Sequence, residues 1–475
     1  MTASLQVLTP DERTQIHERS LHILETVGMR CDSVEGRRIL KGAGARVDEA
    51  DGRVYFPPAL VEEALEMAPR EFALGGRRPG FSAVMNARRS TLCNDGQALL
   101  VYDYESGEFR QPTFDAWRDG IRLCDALDEY GALWSMIDPR GDDSIASFVD
   151  FQIDLLRNYS KNMPASITTP EQAPWLLESL EIVFGGRDEV RRLHPCTGGI
   201  CPISPLIIEG PGIDMWLALR GYDMPAVIMP MPLMGATAPA SLLATVLLAN
   251  CEVLGPLTLM QAADPGAPVI YAPSMGTMDP RSGRYQDAAA HTALCVGVIE
   301  MARHYGLPVM GTGPVDDAFV PGTQWAYERM FSGLYAGLAW PDVLVWGGTA
   351  GGATVYGLEH LLLDAEMWRL VRKAHEGITV DDERWLDDVL ARVGPGGNFI
   401  GEKSTRRQAH SGEWFFSQLG VHEPLEAWQA HGRRDILDEA HEKVREILAK
   451  HEPLPLGDDV ERELAKLRAR APRRD

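Results

Sequence analysis

Residues 225–233, PAVIMPMPL, belong to a series of apolar stretches that decides the fold. Four of these stretches begin 31 residues apart and read ALWSMI (132–137), MPASIT (163–168), HPCTGGICPIS (194–204) and PAVIMPMPL (225–233). A spacing of about 30 residues is the length of one strand, one helix and their connections. The series therefore predicts βα units that follow one another along the chain.

Three further apolar stretches continue the series, namely PVIYAPSMG (268–276), LPVMGTGP (307–314) and DVLVWGGTAGG (342–352). Apolar strands that alternate with amphipathic helices are typical of a parallel sheet covered by helices. The seven stretches predict seven strands, and GGNFIGE (396–402) is the candidate for an eighth. Eight such units favour an α/β fold of the (β/α)8 TIM-barrel type. A doubly wound open sheet is the alternative, but no GxGxxG or Walker loop follows an early strand.

The segments on either side of this series have a different sequence pattern. Thr9 precedes an amphipathic stretch that ends near Gly28, and Pro57 begins another, so two helices are predicted there. Short, turn-rich runs of β type follow them. We therefore expect an α+β N-terminal region (1–112), a TIM-barrel catalytic domain (113–422) and a charged, helical C-terminal extension (423–475).

Composition limits the class of partner. The 475 residues carry a formal charge of −22, which disfavours binding to nucleic acid or to an anionic membrane. Seven cysteines are an odd number, spread thinly, and are typical of reduced thiols. The first residues lack the apolar segment of a signal peptide, and the longest apolar runs are broken by Gly and Pro. We expect a cytoplasmic protein with no membrane span.

In a barrel of this type the active site lies where the strands end. The strand ends here are rich in Gly, Ser, Thr, Met and Pro, and carry few charges: Asp138, Asp279, Asp316 and Asp317. No GxSxG elbow occurs, so a hydrolase of that kind is disfavoured. His194, Cys196 and Cys201 cluster at one strand end and are the candidates for a zinc site. Their spacing matches no common zinc motif, and buried thiols are more often packing residues.

Aromatic residues near the strand ends suit a cationic ligand. A quaternary ammonium group has no N–H to donate, so aromatic faces and nearby carboxylates must recognise it. The predicted substrate-binding residues are Tyr271, Asp316, Asp317, Trp325, Trp346 and Tyr356. The alternative for most of the aromatic residues is packing in the core.

Several segments together resemble the trimethylamine methyltransferase family. They are HERSLHILETVGMRC (17–31), KGAGARVDEADGRVYFPPALVEEALEMAP (41–69), CPISPL (201–206), MPMPLMGATAPASLLATVLLANCEVLGPLTLMQAADPGAPVIY (229–271) and VGPGGNF (393–399). The resemblance runs nearly end to end, and its most specific part is GATAPASL with the PGAPVIY that follows. It implies a TIM-barrel enzyme that moves a methyl group from an amine to the cobalt of a corrinoid, either free cob(I)alamin or one on a separate corrinoid-binding protein.

Within that family the chain resembles the branch without pyrrolysine, because it contains only the twenty standard residues. Members of this branch use betaines or related quaternary amines, so the resemblance implies a betaine-like substrate. The substrate carboxylate would then be bound by backbone N–H groups of GGTAGG or GATA, or by Arg281, Lys403 or Arg406. The sequence departs from the family in VWGGTAGG and GGNFIGEKST, where it has no histidine.

The resemblance also implies a mouth that admits the flat corrin ring, formed by the predicted corrinoid-facing residues Ser204, Met231, Thr237, Met275 and Thr349. No tightly bound metal is expected, and the protein is expected to form a homo-oligomer. Two alternatives stay open. One is zinc-dependent methyl transfer through Cys196 and Cys201, and the other is a barrel that binds a methylated amine without catalysis.

Overall fold

The computed structural model describes residues 4–87, 89–287 and 292–472, which form an α/β structure of many helices and short strands. These ranges contain 17 α-helices. The helices are Pro10–Thr26, Val34–Gly42, Pro58–Met67, Phe114–Ala126, Ile145–Asn158, Ala173–Phe184, Arg187–Leu193, Gly210–Ala218, Leu242–Ala263, Ala293–Tyr305, Thr323–Gly337, Leu358–Glu376, Asp387–Val393, Lys403–Ala409, Leu425–Ala430, Ile436–Lys450 and Asp458–Arg470.

Eight strands of the described chain form what we call the parallel set. They are β1 (Thr91–Asn94), β2 (Tyr130–Ala132), β3 (Met163–Pro164), β4 (Cys196–Ile200), β5 (Ala226–Ile228), β6 (Val269–Tyr271), β7 (Met310–Thr312) and β8 (Val343–Gly347). Parallel pairs join β8 to β1, β1 to β2, β3 to β4, β4 to β5, β5 to β6 and β7 to β8. Isolated parallel bridges join Ala132 to Asn162 and Tyr271 to Val309. Each of the eight segments therefore has a parallel contact on both sides.

The remaining strands are short and lie outside the parallel set: Met29–Cys31, Arg46–Asp48, Arg53–Tyr55, Ala73–Leu74, Ala83–Val84, Leu100–Asp103, Glu108–Arg110, Ile207–Ile208, Leu233–Met234, Gly276–Met278, Tyr285–Asp287, Thr349–Ala350 and Val355–Tyr356. Two of the sheets that they form are built largely from segments that follow β1, β5, β6 and β8. These segments therefore surround the carboxyl ends of the parallel set.

Side chains of the parallel set alternate between two cores, as the period of two along a strand requires. Val227, Ile270 and Met310 belong to an inner cluster. Their neighbours Ile228 and Tyr271 pack instead into the larger core that contains the helices. The strands are thus buried on both faces, which explains why their sequences are continuously apolar.

A hairpin of the N-terminal region covers the end of the parallel set where the strands begin. Strands Ala73–Leu74 and Ala83–Val84 pair antiparallel, and Leu74 and Ala83 belong to the inner cluster. The N–H of Gly75 donates to the carbonyl of Leu193, just before β4. Only the opposite end of the inner cluster is left for a ligand.

The predicted α/β class is confirmed, and a strand lies at each of the seven predicted positions, although β2 (Tyr130–Ala132) shares only Ala132 with its predicted run. GGNFIGE is wrong as the eighth strand, because the segment forms turns and Ile400 is 88% exposed. β1 stands between β8 and β2 instead. The three-part division of the chain stays a prediction, although β1 lies on the N-terminal side of its first boundary.

The first predicted helix is confirmed as Pro10–Thr26, and Thr9 is its N-cap. The Thr9 hydroxyl accepts from the N–H of Glu12, and the Glu12 carboxylate accepts from the N–H of Thr9 in return. The second predicted helix is confirmed as Pro58–Met67. The C-terminal helices Ile436–Lys450 and Asp458–Arg470 pack on the protein through buried residues such as Val444 and Leu464.

One helix, Leu242–Ala263, is long and apolar enough to cross a membrane by length and composition alone. However, 72% of its most apolar 18-residue window is buried inside the protein. It packs against Pro10–Thr26 and Pro58–Met67, so its apolar surface belongs to the core of this fold.

Lys161 holds the start of β2 and β3 together. Its buried ammonium donates to the carbonyls of Cys124 (2.9 Å), Leu127 (2.7 Å) and Tyr130 (2.9 Å). We expect Lys161→Met to lower the free energy of unfolding by about 3 kcal/mol, because three buried carbonyls lose their donor. Urea unfolding followed by circular dichroism measures this loss. The exposed Lys466→Met is the control, and equal losses in the two variants would contradict the role given to Lys161.

Candidate active site

A cavity of about 360 Å³ opens where the strands of the parallel set end. Its walls come from residues in or just after β1, β2, β3, β4, β5 and β8. The side chains that give it chemical character are Asp95, Gln97, Trp134, Arg140, Met229, Met231 and Trp346, and the rest of the wall is Gly96, Ser135, Ala353 and residues of 164–168 and 197–201. The volume suits a small organic molecule.

Asp95 supplies a carboxylate to this cavity. It follows β1 directly and is almost fully buried. The N–H of Gly96 donates to Oδ1 at 2.7 Å, and the hydroxyl of Thr349 donates to Oδ2 at 3.0 Å. Burial raises the pKa of Asp95 to about 6, against the opposing effect of these hydrogen bonds. The carboxyl is therefore mostly ionised at neutral pH and gains its proton in mild acid.

The side chain of Trp346 lines the cavity because β8 is irregular at this position. The register between β8 and β1 shifts between Leu344 and Gly347, which is a β-bulge. Trp346 has φ of 98°, a left-handed backbone conformation that costs energy in a residue other than glycine. Its indole N–H donates to the hydroxyl of Ser274 at 3.2 Å, and its carbonyl accepts from Arg329 at 2.9 Å. These two contacts hold the ring in the wall of the cavity.

Trp134 provides a second indole ring in the wall, and Asn94 fixes its backbone. The N–H of Trp134 donates to the amide oxygen of Asn94 at 2.8 Å, and the amide nitrogen of Asn94 donates to the carbonyl of Trp134 at 2.7 Å. A β-carbon on Gly96 would lie 3.3 Å from the Trp134 ring, so glycine suits this position. β1 therefore contributes both the carboxylate and the support for an indole.

Arg329 lies behind the cavity with its side chain 1% exposed. It donates to the carboxylates of Asp316 (2.6 Å) and Asp364 (2.5 Å). It also donates to the carbonyls of Thr349 and Trp346. Burial raises the pKa of Asp316 to about 6 and raises that of Asp364, in each case against the effect of the guanidinium.

More carboxyl groups stand close to Asp95. The hydroxyl of Tyr285 donates to Asp287 at 2.7 Å, and the N–H of Asp287 donates to Asp317 at 3.0 Å. Burial, together with the neighbouring carboxylates of Asp316, Asp317 and Asp95, raises the pKa of Asp287 well above its usual range. Asp287 therefore takes up a proton more readily than an ordinary aspartate does.

The structure brings together part of the predicted substrate site. Trp346 lines the cavity, while Asp316 and Asp317 lie in the acidic surroundings just described. Tyr271, Trp325 and Tyr356 do not line it and are buried in the outer core. The hydroxyl of Tyr271, for example, donates to Asn250 at 2.8 Å on the helix side of β6.

Some of the predicted corrinoid-facing residues lie at the cavity and others do not. Met231 lines the cavity and is exposed, and Thr349 binds Asp95. Met275 is buried, and Ser204 donates to Glu252 at 2.7 Å. Thr237 is exposed in the turn after β5 and accepts from the N–H of Leu233. The roles of all five stay predictions.

The two candidate zinc thiols lie on different faces of β4. Cys196 packs into the outer core, whereas Cys201 lines the cavity. Burial raises the pKa of both thiols, that of Cys201 to about 11, so both are protonated at neutral pH. Within the described ranges no three His, Cys, Asp or Glu residues lie close enough together to hold a metal ion. These positions do not form the ligand set that the zinc alternative requires.

Asp95, Trp134 and Arg140 were absent from the predicted site. Asp95 follows the apolar run TLC in STLCNDGQ (90–97), which has the same form as the other strand ends. That run lies in the segment predicted as the N-terminal region, outside the predicted barrel. The sequence around Trp134 carries no signal that separates a cavity residue from a packing residue.

Taken together, a carboxylate and two indole rings at the ends of buried parallel strands define an α/β protein with a pocket suited to a small cation. Comparison with known proteins defines it further. Residues 1–474 match the family model described as trimethylamine methyltransferase (MTTB). The chain therefore belongs to the trimethylamine methyltransferase family, and it is an enzyme that transfers methyl groups.

Several relatives are similar along nearly the whole chain. Trimethylamine methyltransferase MttB of Desulfitobacterium hafniense (strain DSM 10664 / DCB-2) is 30% identical over 95% of this chain and 90% of its own length. MttB of Methanosarcina barkeri is 28% identical, covering 96% of this chain and 93% of its own. Glycine betaine methyltransferase of Desulfitobacterium hafniense (strain Y51) is 27% identical, covering 98% and 96%. With no residue other than the standard twenty, the chain is consistent with the branch without pyrrolysine.

Among solved structures, the monomethylamine methyltransferase MtmB of Methanosarcina barkeri aligns with 92% of this chain and 92% of its own. The identity is 10% and the TM-score is 0.49.

We expect Arg329→Met to lower the free energy of unfolding by about 3–5 kcal/mol near pH 7.5, because two buried carboxylates lose their partner. The loss should shrink towards pH 5.5. Without the guanidinium the pKa values of Asp316 and Asp364 rise further, so the folded state binds more protons than the unfolded state and gains stability as pH falls. Urea unfolding at both pH values measures the effect.

The matched control for this substitution is Arg281→Met, since Arg281 also pairs with a carboxylate but its side chain is 84% exposed. A change within about 0.5 kcal/mol is expected there. If the loss of unfolding free energy for Arg329→Met is the same at the two pH values, the explanation by two buried carboxylates without a partner is contradicted.

Proposed function

We propose that this protein transfers a methyl group from a small quaternary amine to the cobalt of a corrinoid, either free cob(I)alamin or one carried by a corrinoid-binding partner protein. Membership of the methyltransferase family supports the reaction type. The observation that carries the choice of substrate is the meeting of Asp95, Trp134 and Trp346 in one cavity at the strand ends.

A (β/α)8 TIM barrel is the fold proposed for this reaction. The parallel contacts on both sides of every strand from β1 to β8 support it. So does the separation of an inner apolar cluster from the core that contains the helices. In such a barrel the substrate lies at the carboxyl ends of the strands, where this cavity opens.

The cavity residues bind and orient the amine. A quaternary ammonium spreads its positive charge over its methyl groups, and indole faces attract these groups without a hydrogen bond. Asp95 adds a carboxylate whose charge is moderated by Gly96 and Thr349. Met229 and Met231 supply apolar surface that keeps water from the methyl groups. Holding one N–CH3 bond towards the mouth is the main task of the protein, since orientation accounts for much of such a rate enhancement.

The corrinoid supplies a low-valent cobalt nucleophile that accepts the methyl group. The carbon–nitrogen bond breaks, its electron pair stays on nitrogen, and a neutral tertiary amine leaves. The mouth fits a flat, largely apolar ring, because exposed Ile203, Met231, Phe319 and Val320 all follow strand ends around it. These side chains would contact the ring without forming bonds to the cobalt.

Two further parts of the proposal concern the state of the protein in the cell. Cytoplasmic location is one, and it agrees with the seven free cysteines. Homo-oligomer formation is the other. Exposed apolar side chains between residues 378 and 421, such as Trp385 and Phe416, support it.

The proposal is tested by methyl transfer to reduced corrinoid, followed by absorbance, with trimethylamine, tetramethylammonium and glycine betaine offered separately. We expect transfer from a quaternary amine and none from trimethylamine. Trp346→Leu and Trp134→Leu should each raise KM about tenfold, because each removes an indole face from the cation. Two variants are used because the strained backbone at Trp346 makes that position sensitive to folding.

Phe331→Leu serves as the control, since Phe331 is an exposed aromatic residue of the helix Thr323–Gly337 and lies outside the cavity. Unchanged KM in both cavity variants would contradict the cation site. Absence of transfer from every amine, with free cob(I)alamin and with a corrinoid-binding protein as acceptor, would contradict the proposed reaction.

A further inference from the structure

The cavity wall has few charged groups, and they differ in whether an opposite charge is paired with them. Among the described lining residues they are Asp95 and Arg140. Arg140 donates through Nε and Nη2 to Asp138 and through Nη1 to the carbonyl of Ser166. Three of the five N–H groups of its guanidinium are therefore used, and its charge is offset by the carboxylate of Asp138. Asp95 has no cationic side chain among its hydrogen-bond partners.

The groups behind the wall add to the negative charge. The carboxylate of Asp317 accepts from the N–H of Asp287, and Asp316, Asp317 and Asp95 together raise the pKa of Asp287. The buried guanidinium of Arg329 also acts on Asp95, but it is hydrogen-bonded to Asp316 and Asp364. The electrostatic potential in the cavity therefore favours a cation and disfavours an anionic group.

The backbone groups predicted to hold a substrate carboxylate are occupied. In GGTAGG, the N–H of Gly348 donates to Asp364, and those of Gly351 and Gly352 donate to the carboxylate and carbonyl of Asp316. In GATA, the N–H groups of Gly235, Ala236 and Ala238 donate within their own turn. Neither segment presents a free cluster of donors to the cavity.

The side chains predicted for the same role lie elsewhere. Arg281 is exposed and pairs with Asp279. Lys403 and Arg406 belong to the helix Lys403–Ala409, and Lys403 borders a separate surface depression with Asp382 and Arg392. None of the three lines the cavity.

We infer that the cavity selects a methylated ammonium cation without a carboxylate, of the tetramethylammonium or choline type, over a betaine. This inference rests on the proposed function, because it takes the same cavity as the substrate site. It replaces the betaine-like substrate that the family resemblance implied. Asp95 is the specificity-determining residue: its carboxylate stands opposite the ammonium and repels a substrate carboxylate.

Calorimetric titration of the full-length protein near pH 7.5 tests the inference without corrinoid. The probes are tetramethylammonium, glycine betaine and glycine betaine methyl ester, which has the same ammonium group but no carboxylate. We expect tetramethylammonium and the ester to bind about tenfold or more tightly than glycine betaine, because an anionic group meets an uncompensated negative potential. Glycine betaine binding as tightly as its ester would overturn the inference.

Asp95→Asn tests the residue itself. Tetramethylammonium should bind about tenfold more weakly to this variant near pH 7.5, while the ratio of ester to betaine affinity falls towards one. In the unaltered protein, affinity for tetramethylammonium should rise from about pH 5 to 7, because the pKa of Asp95 is about 6 and its ionised form binds the cation. The variant should lack this rise.

Asp382→Asn is the matched control, since it removes one carboxylate from the exposed outer depression. It should bind all three probes as the unaltered protein does. An equal loss of affinity in both variants would contradict a local role for Asp95 and would leave only the effect of net charge.

Turnover separates failure of this inference from failure of the proposed function. Methyl transfer to corrinoid from glycine betaine but not from tetramethylammonium would overturn the inference and leave the proposed reaction standing. Absence of binding and of transfer for every probe would overturn both. For Asp95→Asn with tetramethylammonium, KM should rise while kcat stays unchanged or rises, because the carboxylate stabilises the bound cation more than the transition state, where positive charge is leaving nitrogen.

Discussion

The arrangement of the cavity depends on the buried guanidinium of Arg329. It joins Asp316, which follows β7, to Asp364 of the helix Leu358–Glu376, and it binds the carbonyls of Trp346 and Thr349 at the end of β8. Removing an ion of this size from water costs several kcal/mol, and only complete pairing offsets that cost. The planar group with five donors suits the task better than an ammonium would. Two strand ends and two helices are consequently fixed to one another at a single point.

Arg329 affects the geometry of the cavity through two short connections. One is the Trp346 carbonyl, which keeps the strained residue in place so that the bulge of β8 turns its indole inward. The other is Thr349, whose carbonyl binds Arg329 and whose hydroxyl binds Asp95. The features that lower the stability of the fold, namely the left-handed backbone conformation of Trp346 and several buried carboxyl groups, thus lie around the site. The uniformly buried core of the helices and strands supplies the compensating stability.

The strands could be predicted because burial on both faces makes their sequences continuously apolar. Apolar composition did not identify β1 as a strand of the set, because its four residues are followed at once by Asp95. It also predicted a strand at Phe399 and Ile400, which are two adjacent apolar residues in a turn. Apolar composition shows that a segment suits burial. It does not show that a neighbouring strand exists for it to pair with. That information is non-local: β1 pairs with β8, some 250 residues later.

The site was predicted less well, and the alternation along strands explains much of the difference. Tyr271 lies between Ile270 and Ala272, both of which face inward, so its own ring must face the helices. Applying that period would have removed Tyr271 from the list of substrate contacts. It would not have found Trp346, whose inward position depends on a bulge. Nor would it have found the pairing of Asp95 with Thr349, which are separated by 254 positions.

A cation site for methyl transfer has to meet two opposing demands. The substrate must be held firmly while it is positive, yet every interaction that stabilises that charge also stabilises the ground state relative to the transition state. Indole faces meet the first demand at modest strength, and the carboxylate of Asp95, which is held by Gly96 and Thr349 and has no arginine partner, leaves its charge available to the substrate. Once the neutral amine forms, it has little to gain from either contact. Under the proposed function, the chemistry of the wall therefore favours both capture of the cation and release of the product, and Asp95 lacks the arginine partner that Asp316 and Asp364 share.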